Sequence, residues 1–342
     1  MQKTILSEST LSDSLQRTIS YLRLSVTDRC NLRCLYCQSN AKTNYIPHDS
    51  ILRYEEMLHM IRIFSELGVK KVRLTGGEPL VRKDCDKFLI ELRRLFPNMD
   101  LRITSNGTIL ESYISVLKKI SLNCVNISID TFDKDVYKKI TGQDLLRNVL
   151  ASLDALLKAQ IRVKINAVAL RGITDKALDD FIHVARNYSI DVRFIEFMPM
   201  GQDTIWSKEH FLSVGELISR ASERVRLIPS EENSVQSTRG PARMFSLEGS
   251  KGRLGFISPL SNHYCQTCNR LRLTSDGMLR LCLYDDKEYN IREMLRNPSI
   301  SEDEIRRYIV CVCQNKPLGV RLLEERKTGQ PVAKKLMSGI GG

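Results

Sequence analysis

Three cysteines near the amino-terminal end have a spacing that suits a metal site. Cys30, Cys34 and Cys37 follow the pattern C-x3-C-x2-C, which places three thiolates in one short loop. Thiolates are soft ligands that suit iron–sulfur clusters and zinc. A [4Fe–4S] cluster held by three thiolates keeps one iron open to a further ligand, whereas closed zinc sites favour paired C-x2-C spacings. The spacing favours a cluster, and the alternative is a zinc site that takes a fourth ligand from elsewhere.

A second set of three cysteines lies in the last third of the chain. Cys265, Cys268 and Cys282 are spaced C-x2-C-x13-C, and this pattern alone is equally compatible with zinc, with His263 as a candidate fourth ligand.

Two arginines lie between the cysteines of this second set. Arg270 and Arg272 are two positions apart on a predicted strand, so they share one face. Two guanidiniums on one face predict an anion site that suits a triphosphate. An exposed basic strand edge is the alternative.

Composition and charge limit the classes of protein to which the chain could belong. With 342 residues, 42% of them hydrophobic, the chain can form one barrel-sized domain plus an extension. Lys and Arg number 52 against 40 Asp and Glu, and this balance favours binding of phosphates in a nucleotide or a nucleic acid. A solvated basic surface without a ligand is the alternative.

The sequence also predicts where the protein works. No apolar stretch approaches the roughly 20 residues that span a bilayer, and the polar first residues lack a secretory signal. We therefore expect a cytoplasmic protein with no membrane partner, whose ten cysteines are thiols or metal ligands rather than disulfides. Four cysteines lack ligand spacing and are expected to be buried: Cys85, Cys124, Cys311 and Cys313.

Strands and helices alternate along the first two thirds of the chain. Residues 1–19 are predicted to be a mobile leader, residues 20–230 a barrel and residues 231–342 an extension. Strands are predicted over 21–26, 70–74, 101–104, 124–129, 163–168 and 192–197. Helices are predicted between them over 54–67, 84–96, 111–119, 145–159 and 175–188. This alternation predicts an α/β fold with a parallel sheet, and six strands are too few for a complete eight-fold barrel.

Polar residues follow all six predicted strands. In parallel barrels the carboxyl ends of the strands meet at one rim, where the chemistry occurs. The first strand leads to the cysteine loop, and the other ends carry turn glycines, hydroxyls, amides and charged groups: Gly76, Gly77, Glu78, Asn106, Ser128, Asp130, Lys164, Asn166, Arg193 and Met198. Any one of them could be an ordinary turn or cap residue, but their recurrence at every strand end favours a site.

The cysteine loop and the turn after the second strand resemble the radical S-adenosylmethionine (SAM) superfamily. The resemblance rests on C-x3-C-x2-C with Tyr36 before the last cysteine, followed by Gly-Gly-Glu-Pro at 76–79. It implies a partial (β/α)6 TIM-like barrel and a [4Fe–4S] cluster on Cys30, Cys34 and Cys37. The open iron of such a cluster binds SAM, which is cleaved to methionine and a 5′-deoxyadenosyl radical. The implied SAM contacts are Tyr36, Gly76, Gly77, Ser128 and Met198.

From about Tyr21 to Gly342, nearly its whole length, the chain is similar to the GTP 3′,8-cyclase family of molybdenum cofactor biosynthesis. The matching segments are Phe194-Ile195-Glu196-Phe197-Met198-Pro199, Gly240-Pro241-Ala242-Arg243, Leu273-Thr274-Ser275-Asp276-Gly277 and Gly341-Gly342. The resemblance implies a second [4Fe–4S] cluster on Cys265, Cys268 and Cys282 that holds the purine base. It also implies attack of the C3′ radical of GTP on C8, giving 3′,8-cyclo-7,8-dihydro-GTP.

Substrate contacts and partners follow from the same resemblance. The implied GTP contacts are Arg23, Arg73, Thr104, Lys164, Arg270 and Arg272, with Arg193 as a further candidate. For Arg73 and Lys164 an ion pair inside the barrel is the alternative. The implied partners are GTP, a low-potential electron donor of the flavodoxin or ferredoxin type, cyclic pyranopterin monophosphate synthase downstream and a second copy of the chain. No nucleic-acid partner is expected. The double-glycine tail is expected to enter the active site and to be needed for catalysis more than for folding.

Two other functions remain as alternatives. Another radical SAM enzyme with an auxiliary cluster, such as one that modifies a peptide, would share both cysteine sets. A basic iron–sulfur protein that binds RNA would fit the charge of +12.

Overall fold

A computed structural model describes residues 10–37, 45–201, 205–230, 240–326 and 331–341 of the chain. Its first two thirds alternate strands with helices. The six strands of this part are β1 (Tyr21–Ser25), β2 (Lys71–Thr75), β3 (Asp100–Ser105), β4 (Cys124–Ser128), β5 (Val163–Ala169) and β6 (Asp191–Glu196). The helices are α1 (Tyr54–Glu66), α2 (Cys85–Leu95), α3 (Ile114–Lys119), α4 (Lys134–Thr141), α5 (Leu146–Lys158) and α6 (Leu178–Asn187).

The predicted alternation is confirmed, and one helix was missed. Each predicted strand is present with its ends within one residue of the prediction. Helix α1 ends as expected before Gly68, which has a φ of +91° that favours glycine. Helix α4 was not predicted, although Asp133 caps it by accepting a hydrogen bond from the Val136 N–H at 2.8 Å.

The six strands pair in chain order and are all parallel, which confirms the predicted α/β fold. Side chains in β5 alternate between buried and half-buried, because successive residues point to the helix layer and to the barrel interior. The outer face packs against apolar helix residues in one continuous core. The inner face is free to carry polar groups.

The carboxyl-terminal extension adds one parallel strand to each edge of this sheet. Strand β9 (Arg253–Ile257) pairs with β6, and β10 (Arg270–Leu273) pairs with β1. Eight parallel strands therefore line the interior in the order β10-β1-β2-β3-β4-β5-β6-β9. The antiparallel strands outside them are β7 (Leu227–Pro229), β8 (Arg243–Leu247), β11 (Met278–Arg280) and β12 (Tyr289–Asn290). Because β10 carries Arg270 and Arg272, the extension places both arginines beside β1.

Five further helices belong to the second half: α7 (Val214–Ser222), α8 (Ile291–Arg296), α9 (Glu302–Cys313), α10 (Gly319–Glu324) and α11 (Met337–Ile340). Of the four cysteines predicted to be buried, Cys85, Cys124 and Cys313 are buried. Cys311 is exposed, because it lies on the solvent side of α9, so that prediction was wrong. Among the described residues no helix is long and apolar enough to cross a membrane.

The described part of the predicted mobile leader is packed against the domain. Leu11 and Ile19 are buried in the main core, and Asp13 forms a buried ion pair with Arg17 at 2.6 Å. Arg17 also donates a hydrogen bond to the carbonyl of Cys265 at 2.8 Å. For residues 10–19 the prediction of mobility is therefore wrong, because a Ser/Thr-rich composition does not reveal a partner 248 positions away. Residues 1–9 lie outside the described residues.

Candidate active site

A cavity of about 350 Å³ opens at the carboxyl ends of the parallel strands. Most of the predicted site residues line it: Arg23, Cys30, Cys34, Tyr36, Cys37, Arg73, Gly76, Gly77, Thr104, Ser128, Met198, Arg270 and Arg272. Cys265, Cys268 and Cys282 line a smaller adjoining cavity, and Arg270 and Arg272 line both. The structure therefore brings the two cysteine sets to one region, with arginines between them.

The first cysteine loop continues β1 and packs against the turn after β2. The N–H of Gly77 donates to the carbonyl of Thr27, and the N–H of Glu78 to that of Arg29, both at 2.8 Å. A Cβ on Gly77 would lie 2.3 Å from the Arg29 oxygen, and one on Gly76 would lie 2.5 Å from the Thr27 oxygen. The glycines are thus needed for two backbones to meet, and both still face the cavity.

Two thiols of the first set, Cys34 and Cys37, have a pKa that is raised by other thiols of the set. Burial raises the pKa of Cys34 well above its usual value, and the neighbouring Cys37, Asp130 and Cys30 raise it further. Burial and Cys30 raise the pKa of Cys37 to about 12, although a backbone N–H from Ser338 opposes this. Three mutually repelling thiolates are a site that cations would stabilise.

Two buried carboxyl groups hold the polar residues around this loop. Glu78 accepts hydrogen bonds from the Ser105 hydroxyl at 2.9 Å and the Asn106 N–H at 2.6 Å, and burial raises its pKa to about 7. Asp130 accepts from the Tyr36 hydroxyl at 2.5 Å, and burial raises its pKa to about 6. Asp130 therefore fixes the ring of Tyr36, a predicted SAM contact.

The second cysteine set lies in cationic surroundings. Its smaller cavity is also lined by Arg17 and Lys316. Burial would raise the pKa of Cys268, but Arg270, Lys316 and Arg17 lower it to about 6. A backbone N–H reaches each thiol of the set: Val320 to Cys265, Arg270 to Cys268 and Tyr284 to Cys282. N–H donors and cations both stabilise thiolate ligands of an anionic cluster.

Neither cysteine set forms a closed site for a single metal ion among the described residues, where no three His, Cys, Asp or Glu side chains converge on one point. His263, the candidate fourth zinc ligand, shares a hydrogen bond of 2.8 Å with the carbonyl of Pro259 and does not line the smaller cavity.

Arginines from three neighbouring strands lie side by side in the cavity. In the parallel register Arg272 of β10 is opposite Arg23 of β1, and Arg23 is opposite Arg73 of β2. Burial lowers the pKa of Arg272 well below its usual value, and the neighbouring Arg23 and Arg270 lower it further. Crowded, buried guanidiniums repel one another, so a polyanion that enters the cavity relieves this repulsion.

Arg73 and Lys164 were each predicted either to contact GTP or to form an ion pair, and the structure places the two side chains differently. Arg73 has no carboxylate at ion-pair distance among the described residues; it donates to the Tyr21 hydroxyl at 2.6 Å and to the Ile103 carbonyl at 3.1 Å. Lys164 forms an ion pair with Asp191 at 2.5 Å and does not line the cavity. For Lys164 the placement in the cavity is thus corrected, because a carboxylate on the next strand binds its ammonium group.

Several cavity residues were missed by the sequence analysis. They are polar or aromatic residues, four on the inner face of the strands and one before β10: Tyr21, Lys71, Arg102, Asn126 and Tyr264. The sequence did contain a signal for two of them, because residues two positions apart in a strand share one face. Tyr21 is two positions before Arg23, and Lys71 is two positions before Arg73. Arg193, the further candidate, lines the cavity and donates to Asn166 Oδ1 at 2.6 Å.

The carboxyl-terminal tail reaches into this site. The segment begins beside the end of β6, where the Val332 N–H donates to the carbonyl of Pro199 at 2.7 Å. At its other end Arg272 donates a hydrogen bond to the carbonyl of Gly341. A Cβ on Gly341 would lie 2.6 Å from Thr75 Oγ1 and 2.9 Å from Ser25 Cβ, so a larger residue does not fit. Gly342 lies outside the described residues.

Comparison with known proteins defines the class. The Radical SAM superfamily model matches residues 24–185, and the Molybdenum Cofactor Synthesis C model matches residues 190–322. The crystal structure of Streptococcus suis SuiB bound to SAM shares the fold, with a TM-score of 0.60 and 15% identity over 94% of this chain and 77% of SuiB. Fold and family models together define a radical SAM enzyme with a molybdenum-cofactor-type extension.

Relatives with higher sequence identity define the family. The GTP 3′,8-cyclase of Thermodesulfovibrio yellowstonii is 41% identical over 97% of this chain and 100% of its own length. That of Syntrophomonas wolfei is 42% identical over 89% of this chain and 93% of its own length. The chain belongs to the GTP 3′,8-cyclase family. Membership of the radical SAM superfamily implies one [4Fe–4S] cluster and SAM, and the half-buried three-thiol loop that lines the cavity fits both.

Proposed function

We propose that this enzyme converts GTP to (8S)-3′,8-cyclo-7,8-dihydroguanosine 5′-triphosphate, the first step of molybdenum cofactor biosynthesis. The observation that carries the proposal is a single cavity that joins the SAM-type cysteine loop to the arginines beside the second cysteine set. Neither a peptide nor RNA requires the six guanidiniums that line this cavity at the centre of a barrel. A compact polyanion such as a nucleoside triphosphate does.

At the first site the chain holds and orients the radical source. Cys30, Cys34 and Cys37 would hold the [4Fe–4S] cluster, whose chemistry is to supply the electron that cleaves SAM. Tyr36, fixed by Asp130, and the backbone at Gly76 and Gly77 would bind SAM, together with Ser128 and Met198. These groups line the cavity around the cysteines, so their role is to orient SAM and to exclude water.

At the second site the chain holds the substrate. Cys265, Cys268 and Cys282 would hold a second [4Fe–4S] cluster against the base, and the donors and cations around them suit an anionic cluster. Arg23, Arg73, Arg193, Arg270 and Arg272 would bind the triphosphate, with Thr104 at its side. With the base held at one end and the phosphates at the other, the ribose would lie between them and face the SAM site. Holding the reacting groups together in this way is catalysis by proximity.

Further parts of the proposal come from the family resemblance. They are a cytoplasmic location, a low-potential flavodoxin or ferredoxin as electron donor, delivery of the product to cyclic pyranopterin monophosphate synthase, and a homodimer.

The test is an anaerobic assay of reconstituted, dithionite-reduced protein with SAM, with GTP present or absent and ATP as the matched control nucleotide. We expect GTP, and not ATP, to stimulate 5′-deoxyadenosine formation and to be consumed to a cyclised product. Cleavage of SAM without any effect of GTP would assign the barrel to another substrate. No cleavage, in a sample that holds about eight irons per chain, would overturn the proposal.

A further inference from the structure

Tyr21 lines the cavity but has no role in the proposed mechanism. It lies on β1, opposite Lys71 of β2 and Arg270 of β10, and it lines the main cavity. Its hydroxyl accepts a hydrogen bond from Arg73 Nε at 2.6 Å. This contact directs the guanidinium of Arg73, whose other hydrogen bonds go to the Ile103 carbonyl and the Thr104 hydroxyl.

The groups that face the phenol of Tyr21 are almost all cationic. They are Arg23 on β1, Lys71 and Arg73 on β2, Arg102 on β3, Arg193 on β6, Arg270 on β10 and the phenol of Tyr264 before β10. Two carboxylates lie near these cations, and both are bound to basic side chains: Asp100 to Arg102 at 2.8 Å and to Lys71 at 3.6 Å, and Asp191 to Lys164 at 2.5 Å. A negative charge on the phenol would therefore be stabilised from several sides.

The acidity of the phenol agrees with this geometry. Burial alone would raise the pKa of Tyr21, but Arg73, Arg23 and Arg270 lower it to about 7. Near neutral pH the phenol thus carries a substantial share of negative charge and balances part of the charge of the guanidiniums. A triphosphate bound to the same arginines would supply that negative charge instead, and two anions in one place repel.

We propose that Tyr21 is a positioning residue that holds Arg73 ready for the triphosphate and takes up a proton when the triphosphate binds. The inference rests on the proposed function, because it assumes that a nucleoside triphosphate is the anion. The proton balance is simple: the phenolate of the free enzyme becomes a neutral phenol in the complex, and the proton comes from solvent. Because binding takes up a proton, affinity falls as the pH rises above about 7.

The test is anaerobic titration calorimetry of GTP into the cluster-loaded protein, at about pH 8.5, in two buffers of different ionisation enthalpy. We expect wild type to take up about one proton more than Tyr21→Phe on binding GTP. The control is Tyr289→Phe, which should behave as wild type, because Tyr289 is a buried residue of β12 outside the cavity. The GTP dissociation constant of wild type, divided by that of Tyr21→Phe, should rise about tenfold between pH 7 and about pH 8.5. Iron content and SAM binding should not change.

A second measurement keeps the inference testable if Tyr21→Phe is unstable. The tyrosinate absorbance of wild type, followed from about pH 6 to pH 9, should contain one transition that inorganic triphosphate removes. Equal proton uptake by wild type and Tyr21→Phe, or a transition that triphosphate leaves unchanged, overturns the inference while GTP binding stands. Absence of any binding heat with GTP in the wild type would overturn the proposed function instead.

Discussion

The first cysteine loop lies beside two buried carboxyl groups, whereas the second lies beside three cations. Burial, Cys37 and Asp130 raise the pKa of Cys34, while Arg270, Lys316 and Arg17 lower the pKa of Cys268 against the effect of burial. Negative surroundings make it harder to add an electron to a cluster, and positive surroundings favour an anionic ligand. In the proposed function, one set of three thiolates lies where a strong reductant is needed, and the other lies where a triphosphate binds.

The two sites also differ in how the chain builds them. The first site uses one loop and the ends of adjacent strands, with backbone hydrogen bonds between residues 27–29 and 77–78. The second site collects distant segments: Arg17 bonds to the carbonyls of Cys265 and Lys316, and Lys316 Nζ bonds to the carbonyl of Arg270 at 2.8 Å. Substitutions should therefore disrupt one site without the other.

The largest effect is expected from Gly77→Ala, which should break the first site alone. The new methyl group would lie 2.3 Å from the carbonyl oxygen of Arg29, so backbone must move, at a cost of about 1–3 kcal/mol. We expect loss of SAM binding and of turnover, with iron retained by the second set. Gly215→Ala is the control, because its Cβ would have its nearest neighbour at 3.9 Å. Normal SAM cleavage in Gly77→Ala would contradict this account of the loop.

Deletion of Gly341 and Gly342 removes a tail whose residue Gly341 lies against the adjacent strands β10, β1 and β2. The deletion leaves the barrel core intact but removes the Gly341 carbonyl that Arg272 binds. We expect turnover to fall about a hundredfold, equivalent to about 2.7 kcal/mol in the transition state, with a melting temperature close to that of wild type. Calorimetric melting and 5′-deoxyadenosine formation measure the two effects, and equal losses in both would show that the tail serves folding.

Gly319→Ala is the counterpart of Gly77→Ala at the second site. Its Cβ would lie 2.9 Å from the sulfur of Cys282 and 2.7 Å from the ring of Tyr284. Because side chains can shift more readily than backbone, we expect a smaller loss, about tenfold in turnover, together with reduced iron in the second set. Uncoupled SAM cleavage should persist. If SAM cleavage disappeared as well, the two sites would not be separable.

The smallest effect is expected from Lys316→Met, which tests the electrostatic difference directly. Loss of the ammonium makes the second site less positive, so the reduction potential of its cluster should become more negative while that of the first is unchanged. Turnover should stay within about tenfold of wild type. Redox titration followed by electron paramagnetic resonance makes the comparison, with the exposed Lys287→Met as control. Equal shifts of both potentials would argue against a local effect.

Local patterns were enough to predict the barrel and the first site. The period of two places Arg270 and Arg272 on one face of β10, and the strand ends lead to the predicted rim. Contacts between distant segments were not predictable in this way. Nothing local indicates that β9 and β10 extend the sheet in parallel at opposite edges. Nor does the position of Lys164 on an inner face reveal that Asp191, on the neighbouring strand, binds it.

The most direct test of the account compares two triple variants, one with alanine at Cys30, Cys34 and Cys37 and one with alanine at Cys265, Cys268 and Cys282. Iron content and the binding of SAM and GTP are measured anaerobically on both. We expect each variant to keep about half of the iron, with SAM binding lost only in the first and GTP binding weakened at least about tenfold only in the second. GTP binding that is unaffected by loss of the second set, or lost equally in both, would contradict the division of the molecule into a radical-generating site and a substrate site.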